Sequence, residues 1–445
     1  MDWHSLKIGV LKLETPHVRY ERMKKYLKGN IFTGLRIILH EIKTKYGLAH
    51  SICTVTDIDK YDIVLISLMS YNDVFNLVYT FDKHKVSKWS CKIIIGGSAV
   101  VNIKSYLHYG DYFCFGRSEK SIHDIFSNIY QNKPITNNHI FIRNRSSFNK
   151  IYQFRTTEQF YVAKSAGIAE TSYGCHKNCY FCQYANTAKL FKCFYGKKAF
   201  YKFGHESNFD NLQITDGARY TTAIDGSSQH IRYCFNKYIS DSDIIRLFTE
   251  TPVIDKFITL KIYNICGYPT ENETDYEALI NLFRRIDTLI KHNTFHVSMY
   301  FTPFTPEPVT PAESLEADVF TNYRDVFNSI EKDTDKFIID GRKIKFYIPS
   351  LIPSNYTLFK RMIINRSSQD DIEIIRFILF DKYQDHHDRT HKEKFEHLLS
   401  KFDLTKFYKR YSPGNRGEFG YLIGHKPVSK LLNESHELQR NLFAS

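Results

Sequence analysis

The sequence predicts an α/β protein: a doubly wound domain, a second alternating block and an α-rich carboxyl-terminal part. Three observations carry this. Strand-like and helix-like segments alternate about five times in the first 130 residues. A second alternating block runs from about 160 to 345, beyond a polar stretch. The composition (42% hydrophobic, 15% aromatic, 24% charged over 445 residues) supports large cores and excludes long-range disorder.

In the first block, residues 7–13 (KIGVLKL) read as a buried strand. Gly34 to Lys45 reads as a helix with Leu35, Ile38, Leu39 and Ile42 on one face. Strands follow at 50–56, 61–68 (YDIVLISL), 92–95 (KIII) and 112–115, with helices at 73–85 and near 119–130. Such alternation means a parallel sheet with helices on both faces, which binds ligands at the carboxyl ends of its strands. Ser67 to Ser70 and Gly96 to Ser98 occupy such ends. Residues 1–135 are therefore read as the first domain, and 136–159, rich in Asn and Ser, as a linker. In the block 160–345 the strand candidates are 165–171, 220–224, 258–263, 295–301 and 344–348, and the helix candidates 240–249 and 273–290. Residues 346–445 form a small carboxyl-terminal domain with a helical run near 367–381.

The net charge of +13 fits an anionic partner such as nucleic acid or a phosphorylated metabolite, but the lysines are scattered. The stretch 341–445 holds 19 basic against 12 acidic residues. No run of about 18 apolar residues occurs, so no membrane span is expected. Residues Met1 to Val10 lack the apolar block of a secretory signal, and a cytoplasmic protein is expected. Nine cysteines, an odd number without an export signal, argue against a disulfide framework.

Three of those cysteines, Cys175, Cys179 and Cys182, have the spacing CxxxCxxC. Three thiolates on one tight loop suit three irons of a 4Fe-4S cube and leave the fourth iron open to a substrate or cofactor. Zinc is the competing reading, but a closed structural zinc site wants a fourth ligand. A cluster of buried thiols without a metal is the third reading.

This motif, with Phe181 before the last cysteine, resembles that of the radical S-adenosylmethionine (radical SAM) superfamily. The resemblance implies a 4Fe-4S cluster, S-adenosylmethionine chelated to its open iron, and a 5′-deoxyadenosyl radical formed by electron transfer from an external donor such as flavodoxin or ferredoxin. It also implies a full or partial (β/α) barrel, with the cysteine loop after its first strand, here 165–171. Ala223-Ile224-Asp225-Gly226-Ser227-Ser228-Gln229 resembles the fourth-strand segment, making Asp225 and Ser227 candidates for the ribose hydroxyls. Lys261-Ile262-Tyr263-Asn264-Ile265-Cys266-Gly267-Tyr268-Pro269-Thr270-Glu271 resembles the fifth, placing Tyr263 and Gly267 with Phe181 near the adenine. Phe301-Thr302-Pro303-Phe304-Thr305-Pro306 resembles the sixth. The resemblance departs at one point: only 42 residues separate Cys182 from Asp225, and Gly204-His205-Glu206 is the sole candidate for the segment that binds the methionine amino group.

The first domain is similar to the cobalamin-binding domain of one radical SAM subfamily. Ser67-Leu68 stands for its Ser-x-Leu element, Gly96-Gly97-Ser98 for its Gly-Gly turn, and Gly116-Arg117-Ser118-Glu119 for a later segment. Small residues at strand ends let a flat corrin approach the backbone. The Asp-x-His-x-x-Gly element of many cobalamin proteins is absent, and Glu14-Thr-Pro-His17 does not match it. With cobalamin, the implied reaction is methylation of an unactivated carbon or phosphorus centre. Three alternatives stay open: a radical SAM enzyme of another reaction type with a vestigial first domain, a methylthiotransferase-like enzyme with a second cluster on Cys53, Cys91 and Cys114, and a non-enzymatic nucleic-acid-binding protein with a structural metal.

Other residues read more simply. Cys193, Cys234 and Cys266 are expected as buried thiols rather than auxiliary ligands. His387 and His391 are expected on a solvated helix face. The strip Lys406-Phe-Tyr-Lys-Arg-Tyr411 could grip phosphates and bases, but is more often a helix end packed on its neighbour.

Overall fold

The run Ile63–Ser67 is apolar without alternation, so a strand there has to be covered on both faces. It lies in the middle of the first sheet. A computed structural model describes residues 5–16, 33–116, 118–119, 121–135, 140–143, 152–153, 172–173, 175, 177–187, 191–192, 209, 212–216, 219–254, 257–321, 323–330, 338–348, 354–381, 389–411, 422–423 and 428–443.

In chain order the first unit comprises β1 (Ile8–Leu11), α1 (Thr33–Tyr46), β2 (His50–Cys53), β3 (Ile63–Ser67), α2 (Tyr71–Lys83), β4 (Lys92–Gly96), β5 (Tyr112–Cys114), α3 (Ser121–Gln131) and β6 (Ile140–Ile142). The sheet order is β2-β1-β3-β4-β5-β6, parallel except for β6. The order 2-1-3-4-5 is a doubly wound topology with its switch point between β1 and β3. Successive residues feed opposite cores. Val64, Ile66, Ile93, Ile95 and Phe113 meet α2 on one face. Ile63, Leu65 and Ile94 meet Leu39 and Ile42 of α1 and Ile125 and Phe126 of α3 on the other.

Two details differ from expectation. The second strand stops at Cys53, and Val55–Lys60 turns into a short 3-10 helix whose Val55 and Ile58 join the core. Within the stretch expected as a linker, Ile140–Ile142 pairs antiparallel with β5, a short edge strand that covers its open side.

The second unit begins with the cysteine region, where Ser172–Tyr173 pairs antiparallel with Phe191–Lys192 around α4 (Gln183–Thr187). There follow β7 (Arg219–Ala223), α5 (Gln229–Cys234), α6 (Asp241–Thr249), β8 (Ile258–Cys266), α7 (Glu273–Leu289), β9 (Phe295–Pro303), α8 (Tyr323–Ile330), β10 (Ile339–Asp340) and β11 (Ile344–Tyr347). The sheet order is β7-β8-β9-β11-β10, parallel except for the edge β10. Alternate residues of β8 and β9 (Ile258, Leu260, Ile262; Phe295, Val297, Met299) pack beneath α6, α7 and α8. The opposite face carries polar and aromatic side chains. The expected first barrel strand at 165–171 lies outside the described residues, as do Gly204-His205-Glu206, Cys193 and His387.

The carboxyl-terminal part is helical: α9 (Asn355–Arg366), α10 (Ile372–Phe380), α11 (His391–Leu399), α12 (Thr405–Tyr408) and α13 (Val428–Phe443). Helices α9 to α12 join the first unit's core through Phe359, Met362, Ile363, Ile375, Leu398 and Phe407. The cause is α10 itself: IEIIRFILF has too few polar positions to stand exposed, and α2 with the turn Lys104–Tyr109 offers the matching apolar surface. Asn102, 2% exposed, locks the joint by donating to the carbonyls of Ile364 and Ser367 at 3.1 and 2.7 Å. Among the described residues no helix is long and apolar enough to cross a membrane.

Candidate functional site

The cysteine loop is held by its backbone. Tyr180 N–H donates to Phe235 O at 3.0 Å, and Ala312 N–H to Tyr180 O at 3.1 Å. Asn186, 1% exposed, donates from one amide nitrogen to the carbonyls of Cys179 and Cys182 at 2.9 and 2.8 Å. Asn236 likewise clasps Lys177 O and Asn178 O. Tyr180 packs into a small core with Ile231, Phe235, Tyr268, Phe304, Leu315 and two leucines of α13.

Cys179 is buried, and Cys175 and Cys182 are half-buried; all three are free thiols. Burial pushes the Cys179 thiol up to about 12 and Cys182 up to about 11. Thiolates at this depth require a strong local cation, which a coordinated metal supplies. Among the described residues, no three histidine, cysteine or carboxylate side chains converge as a single-ion site. A soft three-thiol donor set fits an iron–sulfur cube, in which each thiolate binds a separate iron.

Next to the loop, Asp225 adopts a left-handed backbone (φ 51°) and Gly226 follows at φ 157°. The Asp225 carboxylate pairs with Lys237 Nζ at 2.7 Å, with side-chain exposures of 14% and 9%. Burial alone would lower the pKa of Lys237, but Asp225 and the thiols of Cys179 and Cys182 hold it above the ordinary lysine value. Arg232 is fully buried; it donates to the carbonyls of Ile239 and Gly226 at 2.8 and 3.1 Å and pairs with Asp241. Together these cations fix the 225–228 turn.

The sequence-derived candidates fall into three groups. Phe181, Asp225 and Gly267 gather beside Cys179. Phe181 packs 6.2 Å from the Tyr268 ring, and Tyr268 donates its hydroxyl to Asp225 O at 3.2 Å. At Gly267 (φ 74°) any side chain would collide with the Tyr323 hydroxyl. Ser227 is 1% exposed, and its hydroxyl accepts from Asn264 at 3.4 Å and sits against Glu271. Tyr263 stands apart on the other face of β8, 41% exposed. Ser67, Leu68, Gly96, Gly97 and Ser98 gather at the carboxyl ends of β3 and β4. There Leu68 is fully buried and offers only its backbone, which accepts from Ala99 N–H at 2.9 Å. Ser98 is exposed and donates to Met69 O at 2.7 Å. Gly97 (φ 115°) lies so close to Leu68 that a Cβ would overlap its carbonyl. The rim is small-sided. Glu14 is committed to Lys83 and His84 at 2.6 and 2.7 Å, and His17 lies outside the described residues. Cys53 and Cys91 belong to the core on one face of the first sheet and Cys114 to the other, so they do not form one ligand set.

Sequence reasoning missed Lys237, Arg232, Asn264 and Glu271. Asn264 carried a signal: the alternation of β8 points it toward the apolar core, where a polar side chain needs a partner. It finds one in Gly226 N–H, 2.5 Å from Asn264 Oδ1. Glu271 closes the turn after β8, accepting from Gly267 N–H, Tyr268 N–H and the Tyr276 hydroxyl. Burial pushes its carboxyl up to about 7.

No family model matches the chain, and no curated protein matches it. Among solved structures it is similar to the cobalamin-dependent S-adenosylmethionine radical enzyme OxsB with aqua-cobalamin bound (9% identity, TM-score 0.31). It is similar to the same enzyme with aqua-cobalamin and S-adenosylmethionine bound (9%, 0.32) and to its apo form (10%, 0.29). Each alignment covers 97% of this chain and 61% of the solved one, so the chain spans under two thirds of those proteins. TM-scores of this size do not establish a common fold.

Proposed function

We propose that the chain is a radical S-adenosylmethionine enzyme, with cobalamin-dependent methyl transfer to an unactivated carbon or phosphorus centre as its reaction. The observation that supports this reading is the CxxxCxxC loop, tied through Tyr180 to Phe235 and Ala312 and lying near the turn that follows the parallel strand Arg219–Ala223.

When bound, a 4Fe-4S cluster on Cys175, Cys179 and Cys182 supplies the electron that cleaves S-adenosylmethionine to a 5′-deoxyadenosyl radical. Cobalamin at the rim of Ser67, Gly96, Gly97 and Ser98 would supply the methyl group. The chain's own residues orient and enclose. Asn186 and Asn236 fix the loop; Phe181 and Tyr268 offer an aromatic wall for a purine. Lys237 holds the Asp225 carboxylate, the candidate ribose acceptor, in one rotamer. A closed site would keep water away and so limit side reactions of a primary radical. A soluble cytoplasmic location and an external flavodoxin- or ferredoxin-type donor belong to the same reading.

Anaerobic purification with iron, sulfide and cobalamin supplied tests it. The expected result is about four irons per chain, 5′-deoxyadenosine formed on reduction, and bound corrin. Cys175→Ala, Cys179→Ala and Cys182→Ala should each abolish cleavage. Cluster and cleavage without corrin would leave a radical SAM enzyme of another reaction type. Stoichiometric zinc with no cleavage would overturn the proposal.

A further inference from the structure

The face of the second sheet opposite its helices carries a cation without a carboxylate. Strand register sets Thr221, Lys261 and Ser298 side by side, and above them Ala223, Tyr263 and Tyr300. Lys261 Nζ lies 4.6 Å from the Tyr263 ring centroid and 4.0 Å from that of Tyr300, and the two rings are 5.7 Å apart. No acidic residue occupies this face on β7, β8 or β9, whose other positions include Arg219 and His296. Among the described residues no carboxylate pairs with Lys261, and neither tyrosine hydroxyl has a hydrogen-bond partner. Tyr263 remains 41% exposed.

An ammonium between two rings is partly stabilised by their faces. It retains its donors for an anion, and the tyrosine hydroxyls add two neutral donors. We infer that Lys261, Tyr263 and Tyr300 form an oxyanion subsite, so that the substrate carries a phosphate or carboxylate group. The inference rests on the proposed function for the word substrate, but not for the binding itself. Lys261 lies three residues before Asn264, about 10 Å down the strand from the 225–228 turn. That separates it from the place argued for the nucleoside.

Titration calorimetry of cluster-free protein with inorganic pyrophosphate, and in parallel with malonate, tests the subsite. The parent should bind at least one of them, more weakly at high salt. Preference for pyrophosphate assigns a phosphorylated substrate, and preference for malonate a carboxylic acid. Lys261→Met should weaken binding about tenfold or more, Tyr300→Phe about threefold, and Lys261→Arg less than threefold. Unchanged thermal unfolding of Lys261→Met separates lost binding from lost fold. No binding by the parent, or equal binding by Lys261→Met, overturns the subsite. Competition between pyrophosphate and S-adenosylmethionine in reconstituted protein would give it to the cofactor's carboxylate and overturn the substrate assignment. If anion binding behaves as expected while no cluster assembles, the radical reading fails and the subsite stands.

Discussion

Replacing Lys237 by methionine is expected to destabilise the cluster-free protein by about 3–5 kcal/mol, the usual cost of stranding a buried charge. The size follows from the surroundings. Lys237 and Asp225 are 9% and 14% exposed and 2.7 Å apart, so water cannot replace the lost ammonium without opening the turn. Asp225 also holds a left-handed backbone, which the ion pair helps to over-determine. The paired replacement Asp225→Asn with Lys237→Met removes both charges and should cost less than Lys237→Met alone. A double-mutant cycle by urea unfolding should then give a coupling of about 2–4 kcal/mol. Lys237 has a folded pKa above its unfolded value. Its contribution is therefore complete below about pH 10.5 and is lost only as pH rises through the folded value. The coupling should stay constant from pH 6 to 9. A single-variant cost under about 1 kcal/mol, typical of an exposed pair, would refute the claim that this pair organises the site.

Three further outcomes are expected. Glu271 has a folded pKa raised from 4.5 to about 7, so its protonated form stabilises the fold below pH 4.5 and this contribution is lost as pH rises through 7. Parent stability should fall by about 3 kcal/mol across that window, and Glu271→Gln, measured by urea unfolding at several pH values, should flatten the profile. Gly97→Ala forces an L-residue to φ 115° against the Leu68 carbonyl and should cost at least about 2 kcal/mol by thermal unfolding, with loss of any corrin binding. Asn102→Ala strips donors from the buried carbonyls of Ile364 and Ser367; a loss of about 2 kcal/mol, seen as faster proteolysis of α9 and α10, should follow.

The first sheet was legible because both its faces are buried. Ile63 to Ile66 and Ile93 to Ile95 are continuous apolar runs that admit little but a central parallel strand, and Gly96-Gly97 marks their shared end. The cysteines were legible because their spacing is local. What escaped depends on contacts remote in sequence. Lys237 and Arg232 sit in IRYCFNKYIS with nothing to distinguish them from surface cations until Asp225 and Asp241 are brought near. Strand parity sends the Tyr263 ring to the face away from the buried Asn264, a separation that appears only once the helices are seen to cover one side of the sheet. The carboxyl-terminal helices were visible as amphipathic or apolar stretches, whereas the surface they cover could not be read from periodicity. Their strip Lys406 to Tyr411 is partly committed to packing: Lys406 pairs with Asp371 at 2.7 Å, and Phe407 is fully buried.

The two candidate sites are joined by the segment that follows β9. Its Ala312 and Leu315 belong to the core around Tyr180 of the cysteine loop, and its Val309, Ala317 and Val319 to the core of the first unit. Arg366 at the end of α9 clamps this segment from behind. It is 5% exposed and donates to Glu313 O and Leu315 O at 2.8 and 2.6 Å, and to Lys409 O and Phe407 O at 2.8 and 3.3 Å. Burial pulls its pKa down to about 10, which leaves it charged at neutral pH. A lysine has three donors on one atom and cannot span four carbonyls on two segments. Arg366→Lys should therefore cost about 2 kcal/mol locally and raise amide exchange at Ala312, whose N–H reaches Tyr180 O, by about 30-fold. Iron retention by the reconstituted protein should fall with it. If exchange at Ala312 stayed at the parent rate while exchange at Lys409 rose, Arg366 would serve only the carboxyl-terminal helices. The spacing between the cysteine loop and the β3–β4 rim would then be set by the apolar contacts of Val309 and Val319 alone.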